Sequence, residues 1–323
     1  MTRWMLPLLL PLGLLTSSAH AQDRGARGDD AAFVQDADSE DYDPGARDRF
    51  IYSNATFGRI NPLGLIDTFR IGWRRRLSTK DSLLLRDTYA FVGGSAMVTP
   101  AFTRVGVSAE AQLLAVLRVF ADVSGVGYYG SFDQVLSWDD PGAVYSDNTL
   151  SLLGEQGRNS PTTGWVFTTG ATVRAAAGPV ALRSTVQFTR FDLDLPDGDV
   201  VFYDQFWDRL APDGGWMALN DLDLLVLSGP ARVGARYTAT AQLGGRTEGA
   251  DGSMGNHRVG PLFAWQFTDK PKGARFNQAT AFVLAQWWVK HPYRTGAEQP
   301  AGLPLIAFGF AFNGDLLGER GAR

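Results

Sequence analysis

Three observations predict an all-β chain, folded as a single up-and-down antiparallel transmembrane β-barrel with a count of 12 strands. Strand-length stretches alternate polar and apolar residues with period two. Short and long connections alternate between them. Beyond the N-terminus, no stretch has the long uncharged apolar run of a membrane helix. Lipid admits only helices and closed sheets, because every backbone polar group must be paired within the structure.

The chain has 323 residues, of which 45% are hydrophobic and 20% charged, with no cysteine and a net charge of −4. Such a mild acidic balance gives no reason to expect a nucleic-acid partner. The N-terminus reads as a signal peptide over residues 1–21. Arg3 is followed by the apolar stretch Leu6 to Leu15 and by Ala19-His20-Ala21, which fits the small-residue cleavage rule. The apolar stretch is too short to cross a bilayer, which takes about 20 residues. Without cysteine, an exported chain has neither a lipid-anchoring thiol nor disulfides. Residues 22–49, with an acidic run from Asp36 to Asp41, read as a disordered periplasmic leader. The barrel is assigned to residues 50–323.

Within the barrel the pattern is clearest from Arg104 to Leu113. Val105, Val107, Ala109, Ala111 and Leu113 share one face, and Arg104, Gly106, Ser108, Glu110 and Gln112 share the other. A helical period would not separate these sets. The same reading places strands at 50–60, 65–76, 87–98, 101–113, 115–128, 165–177, 179–191, 216–227, 231–243, 257–268, 276–290 and 303–313. An even count suits a single-chain bacterial barrel. Leu114, Ala177-Gly178, Ser228-Gly229-Pro230 and Asp269 to Gly273 read as tight turns, whereas 129–164, 192–215, 244–256 and 291–302 are long and polar. With both termini in the periplasm, every long connection falls outside.

Strand length and aromatic placement separate this reading from a secreted β-sandwich. The strands are as long as a tilted membrane strand needs. Trp73, Trp265 and Phe267 fall near predicted periplasmic ends, and Trp165, Phe188 and Trp287 near outer ends, as two interfacial girdles require. These features, with the alternating final strand Leu303 to Phe312, resemble the general class of Gram-negative outer-membrane β-barrels over residues 50–313. A tail from Asn313 to Arg323 follows the terminal aromatic, where members of the class often stop. The resemblance implies location in the cell outer membrane. It also implies outer-membrane lipid and lipopolysaccharide as surroundings, and recognition of the last strand by barrel-assembly machinery.

Chemical motifs are sparse. The mature chain holds two histidines, His257 and His291, which read as exposed loop-edge residues. Ser253 lies near the first, but no G-x-S-x-G elbow occurs. There is no metal-ligand spacing, and no cofactor is expected. Asp192, Asp194, Asp197, Asp199 and Asp204 read as a solvated acidic loop, because Pro196 and Tyr203 break a calcium-loop order. Asn54-Ala55-Thr56 matches a glycosylation sequon, which carries no weight in a bacterial envelope protein. The lumen face is the most suggestive feature. Arg70, Arg74, Arg104, Arg118, Arg174, Arg183, Arg232, Arg236 and Arg258 fall on predicted inward positions, beside Glu110 and Asp122. Rings of arginine favour anions in pores, whereas facing Arg–carboxylate pairs would stiffen the wall and fill a narrow barrel. The expectation is a passive pore or transporter for small, anion-biased solutes, with the substrate unidentified. A lipid-modifying outer-membrane enzyme and a closed structural or adhesive barrel acting through its outer loops are the alternatives.

Overall fold

The computed structural model describes residues 47–318, except 79–81, 83, 86–87, 133, 244–254 and 270–273. The signal segment 1–21 and the leader up to residue 46 lie outside the described residues, as do Ser253 and most of the predicted turn after Asp269.

The elements run β1 (Asp48–Ile60), β2 (Gly64–Arg76), β3 (Tyr89–Val98), β4 (Phe102–Leu114), β5 (Leu117–Tyr129), β6 (Ser137–Trp138), α1 (Asp147–Glu155), β7 (Pro161–Ala177), β8 (Val180–Leu193), β9 (Val201–Asp204), β10 (Arg209–Pro212), β11 (Trp216–Ser228), β12 (Ala231–Leu243), β13 (Asn256–Gln266), β14 (Asn277–Lys290) and β15 (Leu305–Asp315). Twelve of these strands close one barrel, in the order β1-β15-β14-β13-β12-β11-β8-β7-β5-β4-β3-β2. β1 seals it by pairing antiparallel with both β2 and β15. Each of the 12 strands read from the sequence corresponds to one barrel strand, with ends displaced by a few residues at most.

The outer surface explains why the sheet must close. Val105, Val107, Val123, Val173, Leu224 and Val233 all point away from the lumen and are exposed. An apolar belt around a closed sheet places the chain in a membrane, where an open edge would leave backbone groups unpaired. Trp73, Trp165, Trp265, Phe267 and Trp287 are exposed on this surface near strand ends, and Phe188 lies half-buried on the same face. At one end the hairpins are tight. Gly178 and Gly229, with φ of 58° and 56°, supply the left-handed backbone that the two-residue turns β7–β8 and β11–β12 need.

The other end, termed outer here, carries the long connections, and two of these differ from the sequence expectation. Segments 129–164 and 192–215 are not solvated loops. They fold inward as a three-stranded sheet, β10-β9-β6, together with helix α1. Ser146 caps that helix by accepting a hydrogen bond from the Thr149 amide, and Leu150 is its buried contact. Every residue of β9 and β10 is buried.

Candidate functional site: an arginine-rich lumen beneath a loop hairpin

The β9–β10 hairpin sits across the outer mouth and has two apolar faces. Phe202, Trp207 and Ala211 pack down on Phe102, Val126, Tyr128, Val166, Phe191 and Met217 of the wall. Val201, Tyr203 and Leu210 pack up against Leu136, Tyr145 and Leu150. The alternation of Val201, Phe202 and Tyr203 between these faces is ordinary strand geometry, so a four-residue strand can serve two cores. The period is present in the sequence, but four residues are too few to signal a strand inside a polar connection.

Polar groups grip the hairpin tip from several sides. Arg59 of β1 donates to the carbonyl oxygens of Gln205 and Phe206, the latter at 2.9 Å. Arg104 lies 3.7 Å from the Asp204 carboxylate. Asp208, with φ of 51°, is held most tightly. Its carboxylate accepts from Arg294 Nη2 at 2.9 Å, from Arg294 Nε, and from the Tyr203 hydroxyl at 2.9 Å. Its carbonyl accepts from Asn256 Nδ2 at 3.0 Å and His291 Nε2 at 3.1 Å. Burial would push the Asp208 carboxyl up, but the hydrogen bonds from His291 and Arg294 outweigh it and hold the carboxyl well below the usual range. Burial instead dominates at Asp204, whose carboxyl is raised despite Arg104.

Two sequence expectations are corrected here. His291 is buried and bonded to Asp208 rather than exposed, because the folded connections cover it. The acidic loop is not simply solvated: Asp204 is buried, Asp199 accepts from Ser137 and Asp194 accepts from Thr163. His257 lies on the outward face of β13 with Nδ1 2.6 Å from the Tyr237 hydroxyl. Another polar cluster on the outward face joins Asp67 to Asn54 and Thr56. Among the described residues there is no group of three or more metal-ligating side chains.

Below the hairpin, the inward arginines divide into two sets. Arg183, Arg232, Arg236 and Arg258, on β8 and β12–β13, are buried in a packed polar network. Asp223 receives Arg183 Nε at 2.9 Å and Arg236 Nε at 2.7 Å, and Asp221 lies 3.4 Å from Arg236. Arg232 donates to Gln266 at 2.6 Å and Arg258 to Gln286 at 2.9 Å. Arg174 donates to the Ala115 carbonyl at 2.8 Å near the short-turn end. On β1–β5 the wall faces a cavity of about 210 Å³, reaching from Arg49 and Asp315 up to Phe206 and Trp207. Arg70 and Arg118 both lie 3.2 Å from Glu110, which also accepts from the Tyr89 hydroxyl. Arg74 stacks on the Tyr89 ring at 3.8 Å. Asp122 accepts from Ser95 and Ser124.

Sequence reading missed Asp221, Asp223, Arg59, Asp208 and Arg294. The two β11 carboxylates alternate with Leu222 and Leu224, which is a usable signal. Leu219, Leu225 and Leu227 share their face and blur it. No local pattern marks the hairpin clamp, whose partners meet only in the folded barrel.

No family model matches the chain, and no curated protein matches it. Solved structures similar to it include the translocator domain of the autotransporter NalP from Neisseria meningitidis, at 13% identity and a TM-score of 0.35, covering 82% of this chain and 87% of that one. The CymD monoaromatic hydrocarbon channel is 10% identical with a TM-score of 0.37, covering 84% and 89%. The toluene transporter TodX from Pseudomonas putida is 9% identical with a TM-score of 0.30, covering 82% and 87%. The chain's own closed sheet and apolar belt make it a β-barrel of the outer-membrane class.

Proposed function

We propose that this outer-membrane barrel is a selective channel for small anionic solutes, closed at its outer mouth by the β9–β10 hairpin. The carrying observation is the basic cavity directly beneath Phe206 and Trp207. Its lining includes Arg49, Arg70, Arg74, Arg104 and Arg118 against Glu110, Asp122 and Asp315, five cations to three carboxylates. Such a surplus in a confined lumen attracts anions and repels cations. Phe91 and Phe120 beside these arginines would favour solutes with an apolar body.

The packed half of the lumen is a strut in this reading. It narrows the path to the β1–β5 side and keeps the barrel round around it. The apolar belt fits outer-membrane lipid and lipopolysaccharide as its surroundings. Phe308, Phe310 and Phe312, outward on β15, offer the alternating aromatics that assembly machinery would read. Conductance in a planar bilayer tests the channel. The intact barrel should conduct rarely. A variant with residues 201–212 replaced by a short Gly-Ser linker should open in steps, with a reversal potential on the anion side. A hairpin-free barrel that inserts yet stays silent, or passes cations preferentially, would sink the proposal in favour of a closed barrel acting through its outer surface.

A further inference from the structure

We propose that Arg209 anchors a buried binding site for a small monovalent anion, a halide or a carboxylate group, between the hairpin and the inner faces of β12–β14. The site is separate from the lumen cavity, whose lining does not include Arg209. It stands whether or not the barrel conducts.

Arg209 opens β10 and is only 6% exposed. Among the described residues its guanidinium has no hydrogen bond or ion pair, and its Nε and Nη1 are buried without a partner. Neither neighbouring carboxylate is hydrogen-bonded to it. Asp204, its cross-strand neighbour, accepts from the Trp207 amide through Oδ1 and lies 3.7 Å from Arg104, with no hydrogen bond to its Oδ2. Asp208, next in sequence, is taken by Arg294, His291 and Tyr203. A guanidinium cannot escape by losing its proton, and buried charges are otherwise paired.

A chain of contacts defines the surroundings. Asp208 binds Asn256 and His291 through its carbonyl, and the His291 ring lies 4.6 Å from Trp288 and 6.1 Å from Tyr145. Thr240 is the cross-strand partner of Asn256. In this neighbourhood the indole Nε1 of Trp288, the hydroxyl of Thr240 and the amide oxygen of Asn256 are also buried without a partner. The two donors among them, the indole N–H and the hydroxyl, accompany the unpaired cation. An anion would satisfy them together, where a neutral acceptor would leave the charge uncompensated. Because Arg209 sits on the hairpin and Trp288 and Thr240 on the wall, the bound anion would tie the plug to the barrel.

Bromide is the probe. Crystals grown in sodium bromide should show an anomalous peak at the Arg209 guanidinium. Hydrogen exchange of the hairpin amides should slow in bromide relative to gluconate at equal ionic strength, by about fivefold at roughly four times the dissociation constant. Arg209→Met should abolish both effects, and Arg209→Lys should retain part of the second. Should Arg209→Met fail to fold, Trp288→Phe offers the same test, with weaker bromide protection expected. Absence of a peak together with identical exchange in the two salts would overturn the site, and so would bromide protection that survives in Arg209→Met.

Discussion

Arg294 and Asp208 meet beneath the outer connections, with Arg294 Nη2 2.9 Å from Asp208 Oδ1 and Nε on the second oxygen. Arg294 also reaches Asp147 of α1 at 3.0 Å and donates to Asn61 of the β1–β2 turn at 2.8 Å. One side chain therefore joins the hairpin, the helix and the barrel rim. Asp208→Asn would leave that guanidinium without its buried counter-charge, and breaking such a pair costs about 3–5 kcal/mol. The expected outcome is faster proteolysis within 194–215 and more frequent channel openings than in the unaltered barrel.

The pH dependence of this latch has a definite sign. A carboxyl held below its ordinary range stabilises the folded arrangement fully above that range, near pH ~3.9, and loses the contribution only as pH falls through the depressed value. Lowering the pH from about 7 to 5 should therefore leave Asp208 charged and the hairpin closed. Closure is expected to fail only in strong acid. Openings counted as a function of pH check this, and a rise in opening between pH ~7 and ~5 would show that Asp208 is not what holds the hairpin.

Asp223 should be a stability residue with no influence on selectivity. It is fully buried and shared by Arg183 and Arg236. Asp223→Ala should cost about 3–5 kcal/mol, because two buried guanidinium groups lose their shared partner. Replacing the trio by Asp223→Leu, Arg183→Met and Arg236→Met should recover most of that loss. Urea titration of the folded barrel in detergent measures both variants.

The two arginine sets should part in the hairpin-free channel. Arg70→Gln or Arg74→Gln, both facing the cavity, should each lower the preference for anions by roughly fivefold, the effect of about 1 kcal/mol for a unit charge a few ångströms from the path in water. Arg236→Gln, 1% exposed, should leave the reversal potential unchanged while lowering stability. Equal shifts from both sets would remove the distinction between wall and path.

The membrane face carries its own test. Val107 is exposed near the middle of β4. Val107→Arg should destabilise the barrel in lipid by about 2–4 kcal/mol, the cost at the bilayer midplane, and by far less for the same change near a strand end. Refolding equilibria in vesicles report the difference.

Much of the barrel was legible in the residues themselves. A strand with lipid on one side and a wet lumen on the other writes its environment directly into period-two alternation, as from Arg104 to Leu113. Strand ends were less sharp. β7 begins at Pro161 and β8 runs to Leu193, because Thr162 and Asp194, beyond the expected ends, continue the ladder through contacts with each other.

The sequence by itself determined the class, the strand count and, for the strands with clear alternation, which side faces inward, since these follow from neighbours two residues apart. The tertiary structure decided what fills the lumen. Arg59 meets the hairpin at residues 205 and 206, His291 meets Asp208, and Arg104, which lines the cavity, also approaches Asp204. Those pairings join residues some 80 to 150 positions apart. No local pattern encodes them, because they exist only once barrel closure brings the wall and the folded connections around one space.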